Sequence, residues 1–278
     1  RVVADGPLGE TLARLDLPPG RLLTPRVLRQ ARRRLAEVPA QQAARLSLKP
    51  MPEGYAQVTV ALLEHPAVFN GPWDIGGTGI RALTEHELAV DVASPTGNGE
   101  LWVAGWRWQE DRPRVSLALA VPAGGGRPGI WRLDASWERQ AYAAQARTPS
   151  DGPTGTTNTE VVREERRRSA LSFSDWLGAD VRVEIGVGLD RWVDRGPHVS
   201  LEGSLETRWA GDRLSLCAGA ARWIGLASGV PFGTGDVLIT WSSSGLEQRD
   251  AWQGCLGVSS ASSRAPLALW SGAGTGNG

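Results

Sequence analysis

Long stretches of strict two-residue alternation run through the chain from Gly77 onward and constrain its fold more than any other feature. In residues 181–189 the odd positions carry Val, Ile and Leu, whereas the even positions carry Arg, Glu and Gly. Residues 199–209 repeat this scheme. Because successive side chains of a β-strand point to opposite faces, each stretch predicts a strand with one apolar and one polar face.

Clusters of Gly, Pro, Asn, Asp and Ser separate eleven stretches of this kind, and no helical stretch interrupts them. Every second connection is short, as at 94–99 and 174–179, whereas others are as long as 143–158. This asymmetry is typical of the periplasmic turns and outer loops of a membrane barrel. We therefore expect a mainly β protein with a partial antiparallel transmembrane β-barrel of about eleven strands over residues 79–278.

The direction of the apolar faces decides whether this barrel lies in lipid. A soluble barrel or sandwich would show the same alternation with its apolar side turned inward. The 13 tryptophans favour the lipid alternative, because several, Trp192, Trp209, Trp223 and Trp241 among them, lie near the ends of stretches, where membrane barrels carry aromatic girdles. On that assignment the interior is charged, and the predicted lumen-facing residues are Arg182, Glu184, Glu202, Glu206 and Arg208.

The remaining composition points to no covalent chemistry. Thirty basic and thirty acidic side chains cancel, so the total charge gives no reason to expect a nucleic-acid partner. The histidines are scattered and the two cysteines, Cys217 and Cys255, lie outside any metal-ligand spacing. The glycine-rich stretches GGTGIR and GAGTGNG lack the lysine and following helix of a phosphate loop. We expect no catalytic, cofactor-binding or metal site and no enzyme activity.

Residues 1–66 have a different pattern, which predicts a small α+β module. A short apolar start and a helix over 8–15 precede a second helix that runs from Pro25 to about residue 38, with Thr24 as its N-cap. Strands at 43–48 and 55–63 then form a hairpin. The second helix carries a run of arginines that we interpret as its solvated face rather than as a nucleic-acid site. Residues 67–78 are predicted to be a linker and 79–84 the first strand of the barrel.

The order strand, helix, helix, strand, strand resembles that of a POTRA module. In this chain the stretches that carry the resemblance are LPPGRLLTPRVLRQARRRL and, after it, GYAQVTVALLEHP. Residues 189–207, LDRWVDRGPHVSLEGSLET, resemble a barrel strand, outer loop and returning strand. Residues 264–278, RAPLALWSGAGTGNG, resemble the approach to a sixth outer loop. A POTRA-like domain that runs directly into an antiparallel barrel is similar to the BamA/TamA superfamily of outer-membrane assembly and secretion proteins, of the bacterial surface antigen type.

This resemblance implies insertion, assembly or translocation of other proteins at the bacterial outer membrane, with the module in the periplasm. The implied partners are unfolded outer-membrane or secreted client proteins, outer-membrane lipid and periplasmic accessory proteins. Client strands would add to an exposed edge of the module and to a lateral seam of the barrel. The expected client-binding edge is Tyr55, Gln57 and Thr59, and the expected seam strand contains Gly79, Ile80, Arg81 and Ala82.

Two other functions stay open at this point. A passive pore or small-ligand barrel would conduct ions without any need for residues 1–66. A soluble β-rich binding domain would be stable without detergent. Because the chain begins at Arg1 and ends before the expected closing strands, we also expect it to be a piece of a longer protein that lacks its targeting segment.

Overall fold

The computed structural model describes residues 2–4, 17–18, 20, 22–64, 72–124, 127–146, 158–226, 229–243 and 252–270. These residues form a small α+β module followed by a ten-stranded antiparallel sheet. The helices are α1 (Pro25–Ala36) and α2 (Pro72–Glu85), with 3-10 turns at Pro52–Gly54 and Leu267–Leu269. The strands are β1 (Val2–Ala4), β2 (Gln41–Pro50), β3 (Ala56–Glu64), β4 (Glu87–Ala93), β5 (Leu101–Arg107), β6 (Arg114–Pro122), β7 (Ile130–Ala146), β8 (Asn158–Trp176), β9 (Val181–Trp192), β10 (Gly196–Trp209), β11 (Leu214–Gly225), β12 (Phe232–Ser242) and β13 (Gln253–Ala261).

The module packs α1 against a three-stranded sheet. As predicted, Thr24 caps the helix: its hydroxyl oxygen accepts a hydrogen bond from the Val27 amide at 3.3 Å, and Pro25 occupies the first turn. The sheet has the order β1-β3-β2, with β1 parallel to β3 and β2 antiparallel to it. The core of the module joins the apolar faces of α1 and β3 and consists of Leu17, Ala31, Leu35, Val58 and Val60. The helix predicted at 8–15 lies outside the described residues.

The large sheet runs from β4 to β13 in sequence order, and every neighbouring pair is antiparallel. We call the end that carries connections 94–100, 177–180 and 210–213 the turn end, and the opposite end, with 108–113 and 193–195, the loop end. Strands β7 and β8 are the longest, with 17 and 19 residues, and extend beyond their neighbours at the loop end. Ten of the eleven predicted stretches are therefore strands of one uninterrupted sheet.

The apolar faces of the strands point outward, as predicted. Ile185, Leu201 and Leu205 are 59%, 51% and 45% exposed. On the opposite face, Glu184 and Glu202 are half-buried and bonded to other polar side chains. A soluble sandwich would bury the aliphatic row and solvate the carboxylates, so this arrangement excludes inward packing of the apolar side in the described sheet. The sheet has the inside-out pattern of an outer-membrane barrel.

Outward-facing tryptophans lie near both ends of the sheet. Trp102, Trp131, Trp209 and Trp241 lie near the turn end, whereas Trp106 and Trp108 lie near the loop end, and all are at least 36% exposed. Two tryptophans that we assigned to the girdles are elsewhere: Trp192 and Trp223 are 2% and 3% exposed and point inward. Trp192 occupies an even position of β9, on the same face as Arg182 and Glu184. Trp223 on β11 is the register partner of Ser200 on β10, which shares its face with Glu202, so both tryptophans lie on the polar face.

The segment before β4 differs from its prediction. The expected linker 67–78 and first strand 79–84 give way to one helix, α2, while residues 67–71 lie outside the described part. Periodicity could not separate these alternatives, because six residues of alternating character also fit two turns of helix. Neither α1 nor α2 is long and apolar enough to cross a membrane.

Candidate functional site

The module contacts the sheet through one flank of α1, and Trp176 at the end of β8 lies at the centre of that junction. Its side chain is 1% exposed, and the guanidinium groups of Arg33 and Arg208 lie over its ring, at 4.5 and 5.1 Å from the ring centroid. The indole N–H donates to the Glu37 carboxylate at 2.8 Å, and the Trp176 carbonyl accepts from Gln30 at 3.0 Å. Cation–π contacts are strongest where water is excluded, as here.

Ion pairs surround this tryptophan. Arg34 forms a two-pronged pair with Asp175, with both N–O distances at 2.9 Å. Arg33 pairs with Asp212 in the β10–β11 turn and lies 3.8 Å from Asp180 in the β8–β9 turn. Burial lowers the pKa of the Arg33 guanidinium, an effect that the Asp212 carboxylate only partly offsets. Because a guanidinium group does not deprotonate near neutral pH, the pair remains ionic.

The interpretation of the arginine run as a solvated face is therefore wrong for its last part. Arg26, Arg29 and Arg32 are exposed, but Arg33 is buried and Arg34 is half-buried against the sheet. No local signal predicts this, because a helical wheel identifies the apolar stripe and cannot show that a polar flank meets carboxylates more than 140 residues away.

Glu37 extends the junction into the interior of the sheet. Besides its bond from Trp176, its carboxylate lies 3.0 Å from the Nε of Arg182, which faces inward from β9. Arg182 also pairs with Glu184 at 3.2 Å, and Glu184 accepts a hydrogen bond from Ser172 at 3.3 Å. A continuous polar path thus leads from the module into the charged interior.

A second contact joins the module to the β4–β5 turn. The Ala40 amide donates to the Gly99 carbonyl at 3.1 Å, one residue before β2 begins. The buried Glu100 carboxylate shapes this turn by accepting from the amides of Thr96 at 2.5 Å and Asn98 at 3.0 Å. Burial alone would raise the pKa of Glu100, but the hydrogen bonds from Thr96 and Asn98 outweigh it and lower that pKa.

The charges predicted to face the lumen all lie on the interior face, and two of them, Arg182 and Glu206, are register partners on neighbouring strands. Arg182 pairs with Glu184, and Arg208 with Glu206 at 2.5 Å, in each case two residues along the same strand. Arg168 on β8 reaches over β9 to Glu202 on β10 at 2.5 Å. Gly188 of β9 lies near the point where the Arg168 side chain passes over that strand. The interior face is crowded there, because a Cβ at Gly188 would lie 2.4 Å from the Ser200 hydroxyl oxygen.

Asp190 on β9 is an interior residue that the sequence analysis missed. It is fully buried and binds Arg166 at 2.7 Å, Arg168 at 3.4 Å and the indole N–H of Trp223 at 2.8 Å. Its position, two residues after Gly188 on the same alternating face, could have identified it as a lumen residue. Its burial depends on aromatic neighbours from other strands, which one strand's pattern does not show.

An aromatic cluster and the segment after β13 cover this carboxylate at the loop end. Trp192, Trp223 and Phe232 pack with ring centroids 5.2 to 6.5 Å apart, and Ala265 joins them. The Glu164 carboxylate on β8 accepts hydrogen bonds from two backbone amides of the 3-10 turn Leu267–Leu269, each at 3.0 Å. The segment after β13 therefore folds inward across the sheet as far as β8. Residues 271–278 lie outside the described part.

The edge of the module sheet is not where the sequence analysis placed it. Gln57 and Thr59 lie on β3, with Tyr55 just before it, and β3 is the central strand because β1 pairs with it on one side and β2 on the other. Sequence patterning identifies the hairpin but not the side on which a third strand joins. In the described sheet, β2 is the long edge strand, and residues 47–50 are exposed.

The predicted seam strand is also misplaced. Gly79, Ile80, Arg81 and Ala82 belong to α2, and the first strand of the large sheet is β4. Within the described residues, β4 and β13 are the two edges of that sheet. Unpaired strand edges are the positions where another extended chain can add.

Cys217 and Cys255 are free cysteines, and they lie on β11 and β13 with β12 between them. Across the described ranges, no group of three or more His, Cys, Asp or Glu side chains is placed to hold a metal ion.

Comparison with known proteins gives a likeness of fold. No family model and no curated protein matches the chain. CdiB from Escherichia coli matches with a TM-score of 0.55 and 13% identity, over 94% of this chain and 53% of its own. BamA from Haemophilus ducreyi lacking POTRA domains 1-3 matches with a TM-score of 0.48 and 10% identity, over 95% of this chain and 56% of its own. CdiB from Acinetobacter baumannii matches with a TM-score of 0.46 and 11% identity, over 92% of this chain and 52% of its own.

The chain spans about half the length of these solved structures. At 13% identity, the match to Escherichia coli CdiB establishes the fold alone. The large antiparallel sheet is therefore of the outer-membrane β-barrel type, as the alternation predicted.

Proposed function

We propose that this chain takes part in the assembly or translocation of other proteins at the bacterial outer membrane. The sheet lies in the bilayer, the turn end and the module lie in the periplasm, and an unfolded client protein binds as an added strand. One observation carries this proposal: a sheet with its aliphatic face exposed is joined, through half-buried ion pairs at its turn end, to a module with a free strand edge.

The geometry of β2 supports binding of extended polypeptide. Strand β2 pairs with β3 along its whole length, from the pair Gln41 and Glu64 to the pair Pro50 and Ala56. The main-chain groups on the other side of β2 have no strand partner in the described sheet. Strand addition uses main-chain hydrogen bonds and therefore accepts many client sequences. No covalent step and no nucleotide are needed for this activity.

Photocrosslinking in cells that express the full-length chain tests the proposal. Ser47 on β2 and Thr59 on β3 are direct register partners, so short-range diazirine amino acids at these positions form a matched pair. An added strand would lie about 4.8 Å from β2 but about twice that from β3. We expect client adducts from position 47 and few from position 59.

Two outcomes would contradict the proposal. Equal labelling at both positions would indicate binding to the sheet face rather than the edge. Absence of adducts, together with ion conductance that persists after deletion of residues 1–66, would indicate a passive pore.

A further inference from the structure

The chain between β3 and β4 connects opposite ends of the large sheet. Glu64, at the end of β3, pairs with Gln41 next to the Ala40–Gly99 bond, so it lies near the turn end. Glu87, at the start of β4, pairs with Arg107 at the loop end. Between Glu64 and Glu87 the chain therefore passes from one end of the sheet to the other.

Helix α2 makes up most of this crossing, and its sequence suits a helix poorly. Three glycines, Gly76, Gly77 and Gly79, occur among its 14 residues. Glycine is the weakest helix former apart from proline, and helices of this length are marginal unless they are well packed. Ile80 and Leu83 are 64% and 79% exposed, so the described part of α2 buries little apolar surface.

The same residues suit a strand. Ile80 and Ala82 alternate with Gly79 and Arg81, as in a strand with one apolar face. His86, between α2 and β4, has a φ of 53°, a left-handed conformation found in tight turns. A strand formed before this turn would run antiparallel to β4, as every neighbouring pair of the large sheet does.

Strand β4 has a place for that strand. It pairs with β5 along its full length, from Glu87–Arg107 to Ala93–Leu101, and no described strand pairs with its other side. A free edge of this length attracts unwanted pairing unless something covers it.

We propose that residues 72–86 exchange between helix α2 and a strand paired with the free edge of β4. In the strand form the chain covers its own edge; in the helical form the edge is open to a client strand. The part about the client rests on the proposed function, but the exchange itself does not.

Distances within the segment test the exchange directly. Spin labels at Asp74→Cys and Glu85→Cys, in a full-length chain with Cys217→Ser and Cys255→Ser, would lie about 17 Å apart along a helix and about 36 Å apart along a strand. In lipid bilayers without client, we expect both distances. Gly77→Ala with Gly79→Ala should raise the ratio of the short to the long distance at least about five-fold, because alanine favours helix. A Cβ at either glycine meets open space.

Gly124→Ala is the matched control, since this exposed turn glycine also has open space around a Cβ and lies outside α2. It should leave the ratio unchanged. A single short distance in all variants would mean that α2 is a permanent helix, and a single long distance would mean a permanent strand; either result overturns the proposal. If both distances occur but no client adducts form at Ser47, the proposed function fails and the exchange stands.

Discussion

Trp176 joins the module to the sheet through three kinds of contact: two guanidinium groups on its ring, a carboxylate on its N–H and donors on its carbonyl. Trp176 is the register partner of Arg182 and so lies on the polar face of β8, but alternation within one strand cannot show which residues of α1 meet it. Long-range contacts of this kind depend on the relative placement of two elements that are far apart in the chain.

Replacement of Trp176 by alanine should loosen the junction. Large aromatic-to-alanine changes in packed sites cost about 3–5 kcal/mol. We expect faster hydrogen exchange at the Ala40 amide, whose bond to Gly99 depends on the docked module. Trp241→Ala, at an outward tryptophan that is 48% exposed, is the control and should leave that amide protected. Equal protection in both variants would show that Trp176 does not hold the module.

Removal of the Asp190 carboxylate should destabilise the interior. Asp190→Ala leaves Arg166 and Arg168 without their shared partner, and an unpaired buried charge costs about 3–5 kcal/mol. Denaturant unfolding in detergent, with Asp134→Ala as an exposed carboxylate control on β7, measures the difference. A loss no greater than that of the control would contradict the assigned role of Asp190.

Glu100 predicts a pH dependence of the β4–β5 turn. Because its folded pKa is lowered, its contribution to stability is complete above its ordinary pKa of 4.5 and is lost as the pH falls through the folded value. After correction for intrinsic exchange rates, protection of the Thr96 and Asn98 amides should fall below pH 4.5. Glu100→Gln should weaken this protection already at neutral pH, and unchanged protection in that variant would refute the assignment.

At the scale of elements, docking of α1 rests on charge complementarity with the sheet turns. Arg34→Asp should undock α1, because it places a carboxylate beside Asp175, which is bonded at 2.9 Å in the native pair. The double change Arg34→Asp with Asp175→Arg restores opposite charges and should recover part of the loss. Thermal unfolding and Ala40 amide exchange of the four variants form a double-mutant cycle. If the double variant lost as much stability as the two single variants together, the two side chains would not form a direct pair.

Most elements followed from local patterns. Thr24 and Pro25 fixed the start of α1, and alternation predicted β9 and β10, because these signals are within the element itself. The central position of β3 and the helical form of α2 did not follow. The first depends on the pairing of the remote β1, and the second on a balance between helix and strand in one glycine-rich segment.

At the scale of the whole molecule, the exposed aliphatic face is the surface that we expect to contact lipid. A lysine near the middle of that face costs about 2–4 kcal/mol in a membrane barrel, whereas an interior lysine is tolerated. We expect Leu201→Lys to reduce folding into lipid vesicles far more than Ser204→Lys on the same strand. Similar losses in both variants would contradict a lipid-facing role for Leu201.

The most direct test is an accessibility scan of single spin labels at positions 199–208 of β10 in lipid bilayers. Labels at the odd positions, Leu201, Gly203 and Leu205 among them, should collide mainly with oxygen dissolved in lipid. Labels at the even positions, Glu202 and Glu206 among them, should collide mainly with a water-soluble nickel complex. Odd positions shielded from both reagents, with even positions open to the nickel complex, would show that the aliphatic face is buried in protein, and the account would be wrong.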